Sequence, residues 1–204
     1  MRQKLIVATN NGHKAQEIKE MLKELAVDVV TMADLNTDIE VEENGSTYAE
    51  NALIKAMALR DLTDGWIIAD DSGLEIDALD RAPGIYSARY LGEDTPYEIK
   101  NSMILDKLED VEDRSARFVC SIALVFEDGS YWITVNKCEG SISHSIQGTR
   151  GFGYDPIFIP QGYADTFGVL PAEIKNTISH RAKALEALRQ YCRIIMEEAY
   201  DKSI

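Results

Sequence analysis

Residues 9–14 carry the first group of side chains that could do chemistry, and they lie between an apolar run and an amphipathic helical pattern. They are Thr9, Asn10, Asn11, Gly12, His13 and Lys14. Backbone amides at a helix N-terminus favour an anion, and a lysine in the first turn opposes the helix dipole unless an anion lies nearby. The segment indicates phosphate binding, although an ordinary polar turn explains the same residues and the sequence has no P-loop pattern.

A second candidate is a pair of adjacent carboxylates, Asp70 and Asp71, which follows the apolar run 66–69. Successive side chains of a strand point to opposite faces, so we expect one aspartate to face a cleft and the other to be structural. An aspartate that faces the cleft could hold Mg²⁺ or take a proton from water. Because Asp-rich turns are also common, both interpretations stay open at this point.

The acidic stretch from residue 38 to residue 44 contains Glu40, Glu42 and Glu43. A cluster of this kind is usually a solvated face. It gains a catalytic role only if one member meets Asp71 around a metal ion, which the spacing does not decide.

Two later segments combine aromatic and basic side chains. Residues 151–156 place Phe152 and Tyr154 among glycines. Glycine lets a flat ligand approach closely, so either ring could stack on a base, or the segment could be a tight turn with buried rings. Lys175, His180 and Arg181 gather before and at the start of the last predicted helix. They could recognise a phosphate or a keto oxygen, or form a solvated helix start.

The composition restricts the class of protein. The chain has 204 residues and a formal net charge of −14. This charge repels a nucleic-acid backbone, and it implies that a phosphate substrate would need a metal cation. Three cysteines without a CxxC pair indicate a reducing compartment rather than a disulfide scaffold or a zinc site. No window approaches the ~20 apolar residues of a membrane helix, so we expect a cytoplasmic protein with no membrane segment.

The order of the predicted elements indicates how these segments are positioned. Strands are predicted over 5–8, 28–32, 66–69 and 74–79, and an Asp-Gly turn joins two β-rich runs over 117–126 and 130–141. Helices are predicted near 15–25, from a capping box at 47–50, over 96–108 and over about 179–200. This order predicts one domain over 1–204 with an α/β fold of the mixed α+β kind. A long mixed β-sheet would be flanked by helices, and two lobes would surround a central cleft.

Five segments together resemble one known family. They are Thr9-x-Asn11-x-x-Lys14, Ala69-Asp70-Asp71-Ser72-Gly73-Leu74, residues 83–90, residues 151–156 and Ser179-His180-Arg181. The chain resembles the inosine triphosphate pyrophosphatases, also called noncanonical purine NTP pyrophosphatases or XTP/dITP diphosphatases, from residue 5 to about residue 188. One departure is Asn10, which stands where the family often has glycine.

The resemblance implies a two-lobed α/β fold around a deep cleft, a homodimer and dependence on Mg²⁺. It implies hydrolysis of ITP, dITP and XTP to the nucleoside monophosphate and pyrophosphate, which cleanses the nucleotide pool. Asp71 would be the general base and a metal ligand, with Glu42 as the other carboxylate at the metal and Glu43 as the second choice. Residues 9–14 would hold the triphosphate, and Lys175 would assist Lys14 on the phosphates. The rest of the nucleotide pocket would comprise Ser72, Phe152, Gly153, Tyr154, Asp155, Lys175, His180 and Arg181.

Hydrogen-bond polarity predicts the choice of base. Hypoxanthine and xanthine present an O6 acceptor and an N1–H donor, which suit donors from Arg181 or His180 and an acceptor from Asp155. Adenine presents the reverse pattern, so it would leave polar groups unpaired.

Two alternative functions stay open. A kinase or another NTPase would transfer or release the γ-phosphate, and a nucleotide sensor without catalytic activity would leave ITP intact. The carboxylates of Glu42 and Asp71 argue against the sensor, because binding alone gains little from negative charge beside a triphosphate.

Overall fold

A computed structural model describes residues 2–35 and 41–201 of the chain, so Glu40 lies outside the described residues. The strands are β1 (Gln3–Val7), β2 (Val27–Thr31), β3 (Trp66–Ile76), β4 (Ser115–Val125), β5 (Tyr131–Ile142) and β6 (Phe158–Pro160). The helices are α1 (Gly12–Leu22), α2 (Tyr48–Arg60), α3 (Tyr97–Lys107), α4 (Ala172–Ile178) and α5 (His180–Asp201). Sequence patterns predicted most of these elements, but not the short β6 and α4.

The strands form one mixed sheet in the order β2-β1-β3-β4-β5-β6. Strand β1 pairs in parallel with β2 and with β3, whereas β5 and β6 are antiparallel. The predicted mixed α/β fold with helices around a long mixed sheet is therefore confirmed. The central cleft and the single-domain assignment over 1–204 stay predictions.

One prediction about β3 is wrong. We expected a strand to end at residue 69 and another to span 74–79, but β3 runs unbroken through Asp70 and Asp71 to Ile76, and a short 3-10 turn follows. Aspartate is disfavoured in strands, which made these residues resemble a turn. In the folded chain both carboxylates are buried and each pairs with a lysine, so the strand accommodates them. The two aspartates thus lie within a strand and not in a loop after it.

The chain divides into two compact units. The first comprises residues 1–71, 121–135 and 182–204, and the second comprises residues 72–120 and 136–181. In the first unit a core packs Ile6, Ile67 and Val125 against α2, and in the second a core packs Phe118 and Phe158 around α3. Each unit therefore has its own buried apolar cluster.

Two local sequence signals explain features of the backbone: a capping box at the start of α2 and an Asp-Gly turn between β4 and β5. The Thr47 side chain caps α2 by accepting a hydrogen bond from the Glu50 amide, and the Glu50 carboxylate accepts one from the Ser46 amide. The Asp-Gly turn joins β4 and β5, with Gly129 at φ +83°. No helix among the described residues has the length and hydropathy needed to cross a bilayer.

Candidate active site

Asp71 lies among several polar and charged side chains of the first unit. Its Oδ1 atom lies 3.2 Å from Lys55 Nζ, and its Oδ2 atom accepts a hydrogen bond from Asn51 Nδ2 at 3.3 Å. Lys55 and Asn51 are four residues apart on α2, so their side chains share one face of the helix. The 5% exposure of Asp71 means that these partners, rather than bulk water, solvate its charge.

Burial and neighbouring charges act in opposite directions on this carboxylate. Burial raises the pKa of Asp71 and Glu43 adds to the rise, while Lys55 and Lys14 oppose it; the net shift is upward. For Lys55, burial lowers the pKa, but attraction from Asp71, Asp70 and Glu43 outweighs it and the net shift is again upward. A carboxylate whose pKa is raised holds a proton more readily, which is the property that a general base requires.

Asp70, the preceding residue, pairs with a different lysine. Its Oδ2 atom lies 3.1 Å from Lys14 Nζ, and its side chain is fully buried. Lys14 lies in the first turn of α1, where its charge is unfavourable for the helix itself. The two aspartates therefore each neutralise one lysine, and the Asp70 side chain is the more deeply buried of the two.

In the turn before α1, side chains accept hydrogen bonds from the turn's own backbone amides. The Asn11 side chain caps the helix by accepting hydrogen bonds from the amides of His13 at 3.0 Å and Lys14 at 3.2 Å. Thr9 Oγ1 accepts a hydrogen bond from the Asn11 amide. The amides of Asn11, His13 and Lys14 are thus bonded within the turn, and the Lys14 ammonium, paired with Asp70, is the charged group that residues 9–14 contribute.

The acidic stretch reaches Asp71 through Glu43. Glu43 Oε1 lies 3.1 Å from Lys55 Nζ, the ammonium that Asp71 also contacts. Asn51 holds the adjoining backbone, because its Oδ1 atom accepts a hydrogen bond from the Gly45 amide at 2.9 Å. Glu43 therefore shares Lys55 with Asp71, whereas Glu42 is exposed.

Two of these side chains are carboxylates of the kind that could hold Mg²⁺. Mg²⁺ prefers oxygen ligands and is often held by one or two carboxylates together with substrate phosphates. Asp71 and Glu43 are two carboxylates that could serve as such ligands, and in this structure both contact the Lys55 ammonium. Over residues 2–35 and 41–201, no three His, Cys, Asp or Glu side chains converge as a complete metal cluster.

In the second unit, residues 151–155 form a loop that we call the aromatic loop. Asp155 Oδ2 accepts hydrogen bonds from the Phe152 amide at 2.8 Å and from Lys175 Nζ at 2.7 Å. Gly151 has φ +72°, and a Cβ atom there would lie 2.0 Å from the same Asp155 oxygen. The carboxylate thus fixes the loop from inside, and only glycine fits at position 151.

Two cations lie against the Phe152 ring. Lys175 Nζ is 4.7 Å and the Arg181 guanidinium carbon is 5.6 Å from the ring centroid, which is cation–π distance. Arg181 also donates from Nη2 to Ser72 Oγ at 3.0 Å. Phe152 is half-buried, so it is the ring of this loop that could stack on a base.

The other predicted pocket residues are more enclosed. Tyr154 is buried and donates its hydroxyl to the Ser87 carbonyl at 2.8 Å, so it supports the loop rather than offering a stacking face. The His180 ring stacks on Phe118 at 4.7 Å between centroids. Gly153, at φ +67°, lets the backbone turn between Phe152 and Tyr154.

The structure therefore brings the predicted residues into two groups, each within one unit. Asp71, residues 9–14 and Glu43 belong to the first, whereas Ser72, the aromatic loop, Lys175, His180 and Arg181 belong to the second. Sequence reasoning missed Lys55 and Asn51 in the first group. Their signal was two polar residues four apart on the apolar side of α2, a position where polar side chains require buried partners.

Comparisons with known proteins agree with the motifs. The Ham1 family model matches residues 5–191. The chain is 41% identical over 202 residues to the dITP/XTP pyrophosphatase of Clostridium perfringens, an alignment that covers 95% of this chain and 99% of that protein. It is 45% identical over 185 residues to the dITP/XTP pyrophosphatase of Desulforamulus reducens, with 90% and 92% covered.

Solved structures give the same result. The Staphylococcus aureus Ham1 protein superposes with a TM-score of 0.84 at 38% identity, covering 94% of this chain and 98% of that chain. A nucleoside-triphosphatase, or dITP/XTP pyrophosphatase, of Mycobacterium abscessus superposes with a TM-score of 0.72 at 39% identity, with 91% and 98% covered. The resemblance inferred from five sequence segments is thus confirmed over nearly the whole chain.

Proposed function

This chain belongs to the Ham1 family, and from that premise we propose that it hydrolyses noncanonical purine nucleoside triphosphates to the monophosphate and pyrophosphate. Its substrates would be ITP, dITP and XTP. The relatives at 41% and 45% identity are dITP/XTP pyrophosphatases, which supports this substrate class.

The observation that carries the proposal is the pairing of Asp71 with Lys55, next to the pairing of Asp70 with Lys14. A buried carboxylate with a raised pKa supplies a base, and the two lysines offset the carboxylate charge that would otherwise repel a triphosphate in a chain of net charge −14. Such an arrangement suits phosphoryl chemistry better than binding alone, because a sensor would gain little from the carboxylates.

Mg²⁺ would be held by Asp71 with Glu43 or Glu42, and when bound it supplies positive charge that offsets the charge of the phosphate oxygens. The shared contact with Lys55 favours Glu43 for this role. A carboxylate pair of this kind is a hard-oxygen donor set, which suits Mg²⁺.

The proposed reaction is an in-line displacement at the α-phosphorus. Asp71 accepts a proton from water while the water oxygen bonds to phosphorus. The bond from the α-phosphorus to the bridging oxygen breaks, and pyrophosphate leaves with the electron pair. Lys14 offsets the charge of the leaving group. Help from a positioned base is typically worth ~10²–10⁴-fold in rate.

The aromatic loop would hold the base. Phe152 would stack on the purine, and Arg181 or His180 would donate to O6 of hypoxanthine or xanthine. Lys175 is paired with Asp155 and is more deeply buried than Lys14, so its role would be to support the loop and not to hold phosphates, which differs from the role that the resemblance implies. We further propose that the protein acts as a cytoplasmic homodimer, as the family resemblance implies.

A product assay tests the function directly. The purified protein is incubated with Mg²⁺ and ITP, dITP, XTP, ATP or GTP, and the products are identified by mass. We expect inosine, deoxyinosine and xanthosine monophosphates together with pyrophosphate. Orthophosphate with the diphosphate would indicate a γ-phosphatase or kinase-like enzyme. Intact ITP bound to the protein would indicate a sensor, and either result would overturn the proposal.

A further inference from the structure

Two consecutive side chains of α3 reach backbone carbonyls in two different loops of the second unit. Asn101 Nδ2 donates to the Gly153 carbonyl at 3.1 Å, within the aromatic loop. Lys100 Nζ donates to the Ala88 carbonyl at 2.6 Å, at the end of a turn over residues 84–88 that we call the serine turn. Two successive positions in one turn of α3 thus contact both loops.

The serine turn connects the aromatic loop with β3. Ser87 Oγ accepts a hydrogen bond from the Leu74 amide at 2.9 Å and donates to the Gly84 carbonyl at 2.7 Å. The Ser87 carbonyl accepts the Tyr154 hydroxyl at 2.8 Å. Leu74 lies two residues after Ser72, the partner of Arg181. The same turn therefore fixes the loop that carries Phe152 and the strand segment that carries Ser72.

Ring packing adds a third contact from α3. The Tyr97 ring meets the Tyr154 ring edge to face, with centroids 5.2 Å apart. The Tyr97 ring is also close to Gly153, since its Cε1 atom lies 3.6 Å from where a Cβ atom on that glycine would be. Lys100 Nζ lies 5.0 Å from the centroid of the Tyr97 ring. The first turns of α3 thus support the aromatic loop through both polar and aromatic contacts.

Both polar side chains are buried where they meet the loops. Lys100 is 1% and Asn101 is 2% exposed. Burying an amide or an ammonium is unfavourable unless it is hydrogen-bonded, so each side chain depends on the loop carbonyl that accepts its hydrogen bond. Asn101 Oδ1 is buried and has no hydrogen-bond partner among the described residues, so the amide donor is the group that the position uses.

We propose that Asn101 and Lys100 are positioning residues that hold the aromatic loop in the arrangement that binds the purine, and that they thereby determine how strongly 6-keto purines are preferred. This inference rests on the proposed function. In this proposal neither residue touches the substrate. Asn101 acts through the Gly153 carbonyl of the aromatic loop, and Lys100 acts through the Ala88 carbonyl of the serine turn, which supports that loop. Loss of either contact should weaken recognition of the base and leave binding of the phosphates unchanged.

Three variants test the proposal. Asn101→Asp keeps the shape of the side chain but replaces the amide donor with a carboxylate, which repels the Gly153 carbonyl. Asn101→Ala removes the donor and introduces alanine, which favours the helix. Lys100→Met removes the ammonium but keeps most of the apolar stem. The control is Ser102→Ala, at an exposed position of the same helix. Each is measured for Tm, for kcat and KM with ITP and with ATP, for the Kd of inosine monophosphate and for inhibition by pyrophosphate.

For Asn101→Asp and Asn101→Ala we expect the Kd of inosine monophosphate and the KM for ITP to rise about tenfold, the size of one lost hydrogen bond. The ratio of kcat/KM for ITP over ATP should fall by a similar factor, while inhibition by pyrophosphate and kcat stay within about twofold. Lys100→Met should change the same quantities in the same direction. A merely structural role would lower Tm and the active fraction without moving KM or the ratio.

The possible results distinguish failure of this inference from failure of the proposed function. Wild-type protein that leaves ITP intact would overturn the proposed function and this inference with it. Active wild type with unchanged KM and unchanged base preference in Asn101→Ala and Lys100→Met would overturn the inference alone. An equal loss of inosine monophosphate and pyrophosphate binding would also overturn it, because the effect would then not be confined to the base. If Asn101→Asp unfolds, Asn101→Ala supplies the same comparison.

Discussion

Lys55 Nζ lies 3.2 Å from Asp71 Oδ1, so the proposed base keeps a cation as its direct partner inside the protein. The lysine has two effects. It lowers the pKa of Asp71 against the opposing effect of burial, and it joins Asp71 to Glu43. A carboxylate without this partner would hold its proton more tightly and repel the neighbouring acid.

The first prediction concerns Asp71 itself. In Asp71→Asn the side chain keeps its shape but no longer accepts a proton from water, so kcat for ITP should fall at least 10²–10⁴-fold. Steady-state kinetics with pyrophosphate detection measures this. Asp110→Asn, at an exposed position, is the matched control and should keep full turnover. Near-normal turnover of folded Asp71→Asn would remove this residue from the role of base.

The second prediction concerns Lys55, which the sequence did not single out. In Lys55→Met the attraction that lowers the pKa of Asp71 is lost, so that pKa should rise and the acidic limb of kcat/KM should move to higher pH. We expect kcat/KM at neutral pH to fall about tenfold or more. Lys23→Met, which removes an exposed lysine of the same unit, should leave the profile unchanged. A limb that stays at the wild-type pH would contradict the coupling.

The third prediction separates the two glutamates. Chelation with EDTA should abolish hydrolysis, and added Mg²⁺ should restore it. In Glu43→Gln, the Mg²⁺ concentration for half-maximal rate should rise about 10–100-fold, the range seen when a group that supports a metal site is lost. Glu42→Gln, one residue away but exposed, should change it little. The reverse order of effects would assign the metal to Glu42.

The fourth prediction concerns base preference. Arg181 is 2% exposed, lies beside the Phe152 ring and donates to Ser72. In Arg181→Ala the preference for ITP over ATP should fall at least tenfold, because a donor that suits O6 is lost. The measurement is the ratio of kcat/KM values, with Tm recorded for each protein. Arg193→Ala, on an exposed part of α5, is the control. Discrimination that survives in Arg181→Ala would place base recognition elsewhere.

Local signals in the sequence predicted the elements well where the residues themselves determine the backbone. The capping box gave the start of α2, and Asp-Gly gave the turn between β4 and β5. The prediction that the strand ends before Asp70 was wrong because the low strand propensity of aspartate does not take account of partners elsewhere in the chain. Here Lys14 and Lys55, from distant parts of the chain, neutralise the two carboxylates.

In the candidate site, too, the sequence did not predict contacts between distant residues. Motif resemblance indicated Asp71, Lys175 and the aromatic loop, but it did not indicate what each side chain contacts. The ion pair of Lys175 with Asp155 joins residues 20 positions apart, and no local pattern reports it. Lys55 was missed for a related reason, because a lysine on an amphipathic helix normally lies in solvent.

The alternation along β3 makes this strand sensitive to a kind of change that no substitution mimics. Asp70 meets Lys14 of α1 and Asp71 meets Lys55 of α2, and neighbouring positions of a strand face opposite ways. Deleting or inserting one codon before Asp70 would rotate every following side chain to the other face of the sheet. Each acid would then be presented to the wrong helix while the composition of the gene product hardly changed. Reading-frame-preserving indels in this strand should therefore be among the most damaging lesions in a mutational scan.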